Sequence, residues 1–551
     1  MDVGKNLERL VFGGSIVSKS VFGLRASVVG LCFSMALIAT APSAQAQVTA
    51  FKQAVAETAS SDADLAEVYR ARVFEGIWTG SSQEAQTRRN ALLTALADAH
   101  LHGLPRDRFS PDALVARIQN AKTAAELGAM DVELSRAFLD YARAINTGLL
   151  NPGDVVSEIK REVPVHDRKS LLAEFLAAPS PTGYLRDLAP KSHEYARLLR
   201  QKFELENVAL NDAWGAPVPV RTLRPGDQGE AVIALRNRLV AMGYLERSVS
   251  GRYDPAMQSA VQRAQEDFGL PADGVAGEET IRALNTSATE RLKAVLVALE
   301  RERWTNFERG ERHVWVNLTD FTARIVDHDI VTFETVAVIG ATSDDRQSPE
   351  FSDEMEHMVI NPSWFVPRSI IVNEYLPQLR ANPGAVSHLQ VVASNGAVVS
   401  RDRDFSGYSA SSFPFSMRQP PGPGNALGTV KFLFPNKYNI YLHDTPAKSL
   451  FQRQVRAFSH GCIRLAQPHE FAYALLAVQT SDPVDFFQSR LRSGAETRVD
   501  LEKHVPVHIV YRTAFTSVTG EMQYRPDIYG RDARIWEALA REGVAIGAVQ
   551  G

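Results

Sequence analysis

Cysteine is nearly absent from this chain of 551 residues, which holds only Cys32 and Cys462. Cys32 lies in an apolar leader, and once that leader is removed Cys462 has no partner for an intramolecular disulfide. No Cys-x-x-Cys pair exists, which excludes a dithiol redox role. An excess of one charge is also missing. The net charge is −4, so nothing global points to nucleic acid or to an anionic membrane surface. Two segments begin like a zinc-protease helix, His193-Glu194-Tyr195-Ala196-Arg197 and His469-Glu470-Phe471-Ala472-Tyr473. Each lacks a histidine four positions on, so neither sets two ligands on one helix face, and neither a metal nor a cofactor is implied. Beyond the leader no apolar run approaches the roughly 20 residues that span a bilayer. Internal repeats are absent, and the proline–glycine loop Arg418–Asn425 is the only low-complexity tract.

What remains is ordinary soluble material, 45% apolar and 23% charged, in a chain long enough for three or four domains. The N-terminus has the make-up of an export signal. Lys5, Arg9, Lys19 and Arg25 precede the uncharged stretch Val28–Ala41, and Ala44-Gln45-Ala46 fits a small-x-small cleavage site before Gln47. Residues 1–46 therefore read as a signal peptide or, left uncut, as an inner-membrane signal anchor. Either places the rest of the chain in the periplasm. Val29-Gly30-Leu31 does not suit lipidation of Cys32.

The pattern is helical over residues 47–220, with stripes such as Leu134, Phe138, Leu139, Tyr141, Ala142 and Ile145, closed by Asn146-Thr147-Gly148. We read this as an all-helical scaffold. A small three-helix module is expected over 221–286 and a charge-alternating helical connector (Glu300-Arg301-Glu302-Arg303) over 287–310. From 311 the period changes to alternation, as in His313–Leu318 and Thr335–Gly340, and predicts strands to about 535. An irregular insert over about 370–425, with a helix near Glu374–Arg380, has the length of a lid or flap. Residues 536–551 read as a tail. The fold class is thus multidomain α+β.

One constellation carries chemistry. His443-Asp444-Thr445-Pro446 ends a predicted hairpin, and Ser459-His460-Gly461-Cys462-Ile463-Arg464 follows. A lone thiol beside histidines, arginines and a glycine has the parts a nucleophile requires: a base, a positive surrounding and a permissive backbone. Thr445-Pro446 suits a helix start running through Leu450. Arg453, Arg456 and Arg464 are expected to favour the thiolate, and the amides of Gly461 and Cys462 to face an oxyanion. A buried structural cysteine is the competing reading of the pair alone. Histidine preceding cysteine, with no Cys-Gly-Ser-Cys-Trp-like string, excludes a papain-like peptidase.

The full string resembles the signature of the L,D-transpeptidase (YkuD-type) catalytic domain. Asn361-Pro362-x-Trp364-x-Val366-Pro367 and Asp527-Ile528-Tyr529-Gly530-Arg531 resemble that family too. The Gly-Tyr, Phe-Gly-Leu and Asp-Gly-Val-x-Gly-x-Thr elements within 221–286 resemble a peptidoglycan-binding module, with Ala264 where an aromatic is usual. The whole resembles the large, scaffold-bearing branch of Gram-negative bacteria. The resemblance implies Cys462 as nucleophile and His443 as proton donor and acceptor. His460, Gly461, Arg464, Tyr441, Trp364 and Ser459 would support the site or bind substrate. Asp444 reads as a turn residue, and with no third acid in view a backbone carbonyl is left to orient His443. The implied partners are peptidoglycan stem peptides, glycan strands and envelope-protein acceptors. The implied reaction is 3→3 cross-linking through a thioester; carboxypeptidase action, protein anchoring and a non-catalytic wall-binding scaffold stand as alternatives.

Overall fold

A computed structural model of the chain describes residues 44–546. Cys32 and the expected leader lie outside the described residues, except for Ala44–Ala46, which open the helix Ala44–Ala59. Residues 547–551 of the expected tail also lie outside them. No helix among the described residues is long and apolar enough to cross a membrane.

The helical stripes read from the sequence pack as one core. Leu134, Phe138, Ala142 and Ile145 on the long helix Ala124–Thr147 are buried among Tyr69, Trp78, Leu92, Phe175 and Leu198. That helix starts on a capping box in which Thr123 and Glu126 satisfy each other's amides. It stops at Gly148, whose φ of 98° and lack of a side chain let Glu300 and Trp304 close in. A methyl there would meet Glu300 Oε1 at 2.6 Å.

Two expectations are corrected in this core. The helix Ala288–Trp304 is no connector. Its Val295, Leu296 and Leu299 belong to the scaffold core, and Glu300, Arg301, Glu302 and Arg303 are almost fully enclosed. The charge alternation fits burial because every charge is paired. Arg303 meets Glu300 at 3.0 Å, Arg301 meets Glu350 and Asp532 at 2.7 Å each, and Glu302 takes Arg309 at 3.1 Å and also Arg512. Pairs of this kind are costly to break singly, because the partner is left as an uncompensated buried charge. The tail is likewise structured. The helix Arg531–Arg541 places Ile535, Ala538 and Leu539 in the same scaffold core.

The three-helix module has a core of its own. Val232, Leu235, Val261, Ala264, Ile281 and Leu284 are all fully buried on its helices Glu230–Ala241, Pro255–Asp267 and Glu278–Asn285.

The remaining strands are β1 (Arg312–Asn317), β2 (Thr322–Asp327), β3 (Ile330–Gly340), β4 (Phe351–Ile360), β5 (Trp364–Phe365), β6 (Gln390–Val392), β7 (Ser416–Gln419), β8 (Val430–Leu433), β9 (Leu442–His443), β10 (Ala457–Ser459), β11 (Ile463–Leu465), β12 (Thr497–Val510), β13 (Ala514–Thr516) and β14 (Met522–Tyr524). The main sheet runs β10-β3-β11-β9-β8-β4-β12-β1-β2, and β2 pairs back onto β3. Closure onto β3 leaves the inner face filled by Val314, Val316, Ile325, Ile360, Phe432, Leu442, Ile463 and Ile509.

The insert also departs from its irregular reading. With β5, which lies just before it, the insert forms a second, three-stranded sheet, β5-β7-β6, over a separate apolar core containing Ile371, Leu379, Val391, Phe405, Phe413 and Met417. Its helical part runs from a short turn at Arg368–Ile370 through a π-type turn at Ile371–Tyr375 to Leu376–Ala381. The alternation of this segment is too short and too interrupted to show from sequence.

Candidate active site

His443 and Cys462 come together because their strands are neighbours. β9 lies between β8 and β11, pairing Lys431 with His443 on one side and Arg464 with His443 on the other. Cys462 immediately precedes β11, so both residues stand on one wall of a cleft of about 930 Å³. Trp364, Tyr441, Ser459, His460 and Arg464 line the same cleft, as do Arg346, Glu374 and Tyr375. Gly461, between His460 and Cys462 in the chain, is not among the lining residues.

His443 is held by its own neighbour. Nδ1 lies 2.5 Å from the carbonyl of Asp444. A carbonyl only accepts, so Nδ1 carries the proton and Nε2 of the neutral ring is left as a base. Burial, with help from Arg464, pushes this imidazole down to about 3. Asp444 itself organises the turn. Its carboxylate accepts from the Thr429 amide at 2.9 Å, the Thr445 amide at 2.7 Å and Lys448 Nζ at 2.6 Å. The helix expected to start at Thr445-Pro446 forms later, as a 3₁₀ turn over Lys448–Gln452, because the Thr445 hydroxyl accepts from Ala447 in a local turn.

Cys462 is the free cysteine of the described residues and is half-buried. Its thiol donates to the carbonyl of Asn439 at 3.5 Å, a bond that only the protonated form makes. Among the described residues no hydrogen bond joins Sγ to the His443 ring. Burial pushes the thiol up to about 11, against the opposing pull of the Tyr441 backbone and hydroxyl and of Arg464. This corrects the expected electrostatics. Arg456 instead spends its guanidinium on the Arg453 carbonyl and the Phe321 ring, so Arg464 is the arginine that acts on the sulfur. At rest the pair is thus a neutral thiol beside a neutral imidazole.

A measurable consequence is slow alkylation. A thiol at 11 is ionised to only about 10⁻⁴ at pH 7, about a hundredfold less than one at its ordinary value of 9.0. Iodoacetamide modification of Cys462, followed by intact mass, is expected to keep accelerating to beyond pH 10. A plateau reached by pH 7 would show a resting thiolate instead.

The loop between β10 and β11 is tied on both sides. Ser459 Oγ accepts from the Gly461 amide at 3.1 Å and donates to the Cys462 carbonyl at 2.5 Å. The Gly461 amide is therefore occupied, and of the two expected oxyanion donors the Cys462 amide is the one with no partner among the described residues. Gly461 holds φ at 108°. Its carbonyl accepts from Ser348 Oγ at 2.6 Å, a contact the sequence did not signal. His460 turns away from the thiol, with Nε2 2.5 Å from Glu374 Oε1, and Glu374 also takes Arg346 at 2.8 Å. Glu374 sits on the π-type turn of the insert and was not singled out in the sequence. Tyr441 lies against the thiol, its ring 5.6 Å from that of His443, and the Trp364 indole reaches its hydroxyl. The Arg464 guanidinium makes no hydrogen bond or ion pair among the described residues, although its Nε is buried. The two histidines of the zinc-helix look-alikes do other work: His469 meets the Thr429 hydroxyl at 2.7 Å, and His193 begins a helix whose Glu194 caps the Thr516 amide at 2.8 Å.

A histidine ending one strand and a cysteine just before its neighbour thus line one cleft of a closed sheet, together with residues of the insert. Family models place the chain more narrowly. Residues 311–486 match the "L,D-transpeptidase catalytic domain" (YkuD), 63–201 a "Scaffold domain" and 228–284 a "Putative peptidoglycan binding domain". The chain thus carries an L,D-transpeptidase catalytic domain of the YkuD family together with a peptidoglycan-binding domain. It is 30% identical over 229 residues to a "Putative L,D-transpeptidase" of Haemophilus influenzae, covering 40% of this chain and 45% of that protein. It is 40% identical over 67 residues to a "Zinc D-Ala-D-Ala carboxypeptidase" of Streptomyces albus G, covering 11% and 26% respectively. Each match spans less than half of the relative. Solved L,D-transpeptidases from Stackebrandtia nassauensis and Xylanimonas cellulosilytica are each 14% identical and cover 54% of this chain. The alignments take in 97% and 100% of those chains, with TM-scores of 0.21 and 0.16.

Proposed function

We propose that the chain is a periplasmic peptidoglycan L,D-transpeptidase that forms 3→3 cross-links through a thioester on Cys462. One observation carries this reading: the Cys462 thiol and the free Nε2 of His443 share a cleft wall, with the other ring nitrogen locked onto the Asp444 carbonyl. As Sγ attacks the carbonyl joining the third residue of a stem peptide to its terminal D-alanine, Nε2 takes the thiol proton. The new oxyanion meets the unpartnered Cys462 amide. The imidazolium then returns the proton to the departing D-alanine amine, leaving the thioester. An amine from a second stem, deprotonated by Nε2, attacks the thioester, and the sulfur leaves and is reprotonated.

Arg464 suits a substrate carboxylate, since a half-buried guanidinium without a partner gains most from a charged, bidentate one. The insert excludes water and so favours an amine over hydrolysis. We assign the 221–286 module to glycan binding, which would hold the enzyme on the wall.

Incubation of the full chain with a disaccharide-tetrapeptide is expected to add the mass of the substrate less D-alanine to Cys462. A second stem should then convert it to a cross-linked dimer. Hydrolysis to the disaccharide-tripeptide and D-alanine would mark a carboxypeptidase, and transfer to an envelope protein an anchoring enzyme. An adduct that persists in Cys462→Ala would refute the mechanism.

A further inference from the structure

The nucleophile loop is linked to the scaffold by a continuous buried chain. It begins at Arg301, on the helix Ala288–Trp304 in the scaffold core. Arg301 bonds Glu350 at 2.7 Å through NH1 and Asp532 at 2.9 Å through Nε. The other oxygen of Glu350 holds Arg531 at 3.0 Å. Arg531 donates to the Ser348 carbonyl at 2.7 Å. Ser348, fully enclosed, donates its hydroxyl to the Gly461 carbonyl at 2.6 Å and accepts from the Gly340 amide at 2.9 Å. A second strap reaches the same place. Residues 158–160 of the scaffold grip the backbone of Glu350 from both sides, Glu350 donating to Glu158 at 2.9 Å and accepting from Lys160 at 2.8 Å. Arg301, Glu350 and Arg531 are each no more than 3% exposed, so these bonds form in a medium that strengthens them.

This wiring is uneconomical if its only purpose is cohesion. Buried ion pairs add little net stability compared with apolar packing. What they supply is a fixed orientation, and here the orientation ends on the carbonyl of the residue preceding Cys462. The Gly461 carbonyl and the Cys462 amide belong to one peptide plane. Holding the oxygen therefore aims the unpartnered amide. A misplacement of about 1 Å in such a group costs on the order of 100-fold in rate.

We propose that Ser348 is a positioning residue for the Cys462 amide, and that Glu350, Arg531 and Arg301 transmit the scaffold's hold on it. The inference rests on reading Cys462 as the nucleophile, so its test has one arm that does not require transpeptidation. In the full chain, Ser348→Ala is expected to lower kcat for acylation about 30-fold while KM stays within about twofold, since the group it orients acts only in the transition state. The iodoacetamide rate at Cys462, read about 20 °C below Tm, should shift about fivefold as the loop loosens. Arg301→Lys keeps the charge but loses the two-sided grip, and is expected to lower kcat by about tenfold. Because its effect travels through Ser348, the double variant should be no slower than Ser348→Ala alone.

Effects that multiply would overturn the relay. So would a Ser348→Ala chain with unchanged kcat and unchanged alkylation rate, or one in which only KM and Tm move. If Arg301→Lys does not accumulate as folded protein, Ser348→Ala decides by its kcat and KM alone. A wild-type chain that forms no adduct with the tetrapeptide would refute the proposed function, and the alkylation arm would still decide the relay.

Discussion

His443→Ala is expected to lower kcat/KM for donor acylation by about 10³–10⁴, because in the proposed mechanism one ring serves as base toward the thiol and then as acid toward the leaving amine. The reason for so large a loss is the resting state. A cysteine already ionised would keep much of its reactivity without the imidazole. Here burial holds the thiol near 11 and the ring near 3, so the thiolate exists only while Nε2 holds the proton. The pH profile follows with a definite sign. A ring whose basicity is depressed stays unprotonated, and so competent as a base, down to about pH 3. The acid limb of kcat/KM is therefore expected below pH 4, with no inflection at the ordinary histidine value of 6.5. Stopped-flow acylation across pH 3–9 would check both points. A midpoint near 6.5 that disappears in His443→Ala would mean that the ring rests solvated and protonatable, contrary to its enclosure between β8 and β11.

Much of this site was legible in the sequence, and the reason is locality. Ser459 to Arg464 is one continuous string, and its ends are strand residues whose register decides where the thiol stands. Even the carbonyl partner of His443 followed from the lack of a third acid. Features that depend on contacts remote in sequence were hidden. Glu374 meets His460 across 86 positions and Ser348 meets Gly461 across 113; neither residue type nor spacing announces such pairs. Charge alternation at Glu300–Arg303 read as a connector because every second residue of a helix faces a different direction. Only the arrival of Glu350, 49 positions beyond Arg301, and of Arg512 and Asp532 from the C-terminal third makes burial of the run tolerable. The arginines near the thiol misled for the opposite reason. Proximity in sequence suggested a shared field, whereas Arg456 is folded back onto its own loop. The helical and β domains showed through their periods of 3.6 and 2, and the insert did not because its strands are only 2–4 residues long.

Gly461→Ala tests whether loop geometry or side-chain chemistry limits the reaction. At a φ of 108° an L-residue is strained by on the order of 1–3 kcal/mol. The space is tight but not closed: a β-carbon would stand 3.1 Å from Ile440 Cδ1, the movable end of a side chain, and 3.6 Å from the Gln347 carbonyl. Folding therefore survives, and Tm is expected to fall by only a few degrees. Catalysis should suffer more. The loop sheds strain by rotating φ toward negative values, and that rotation swings the following peptide plane. The bond from Ser348 to the Gly461 carbonyl breaks, and the Cys462 amide leaves the direction in which an oxyanion would form. Loss of one such donor costs about 10²–10³ in kcat. The expected variant is a folded protein whose thiol still alkylates but whose acylation by the tetrapeptide is slower by about that factor. Equal losses in Tm and rate would point to general disruption, and an undiminished rate would show that the glycine serves folding of the turn alone.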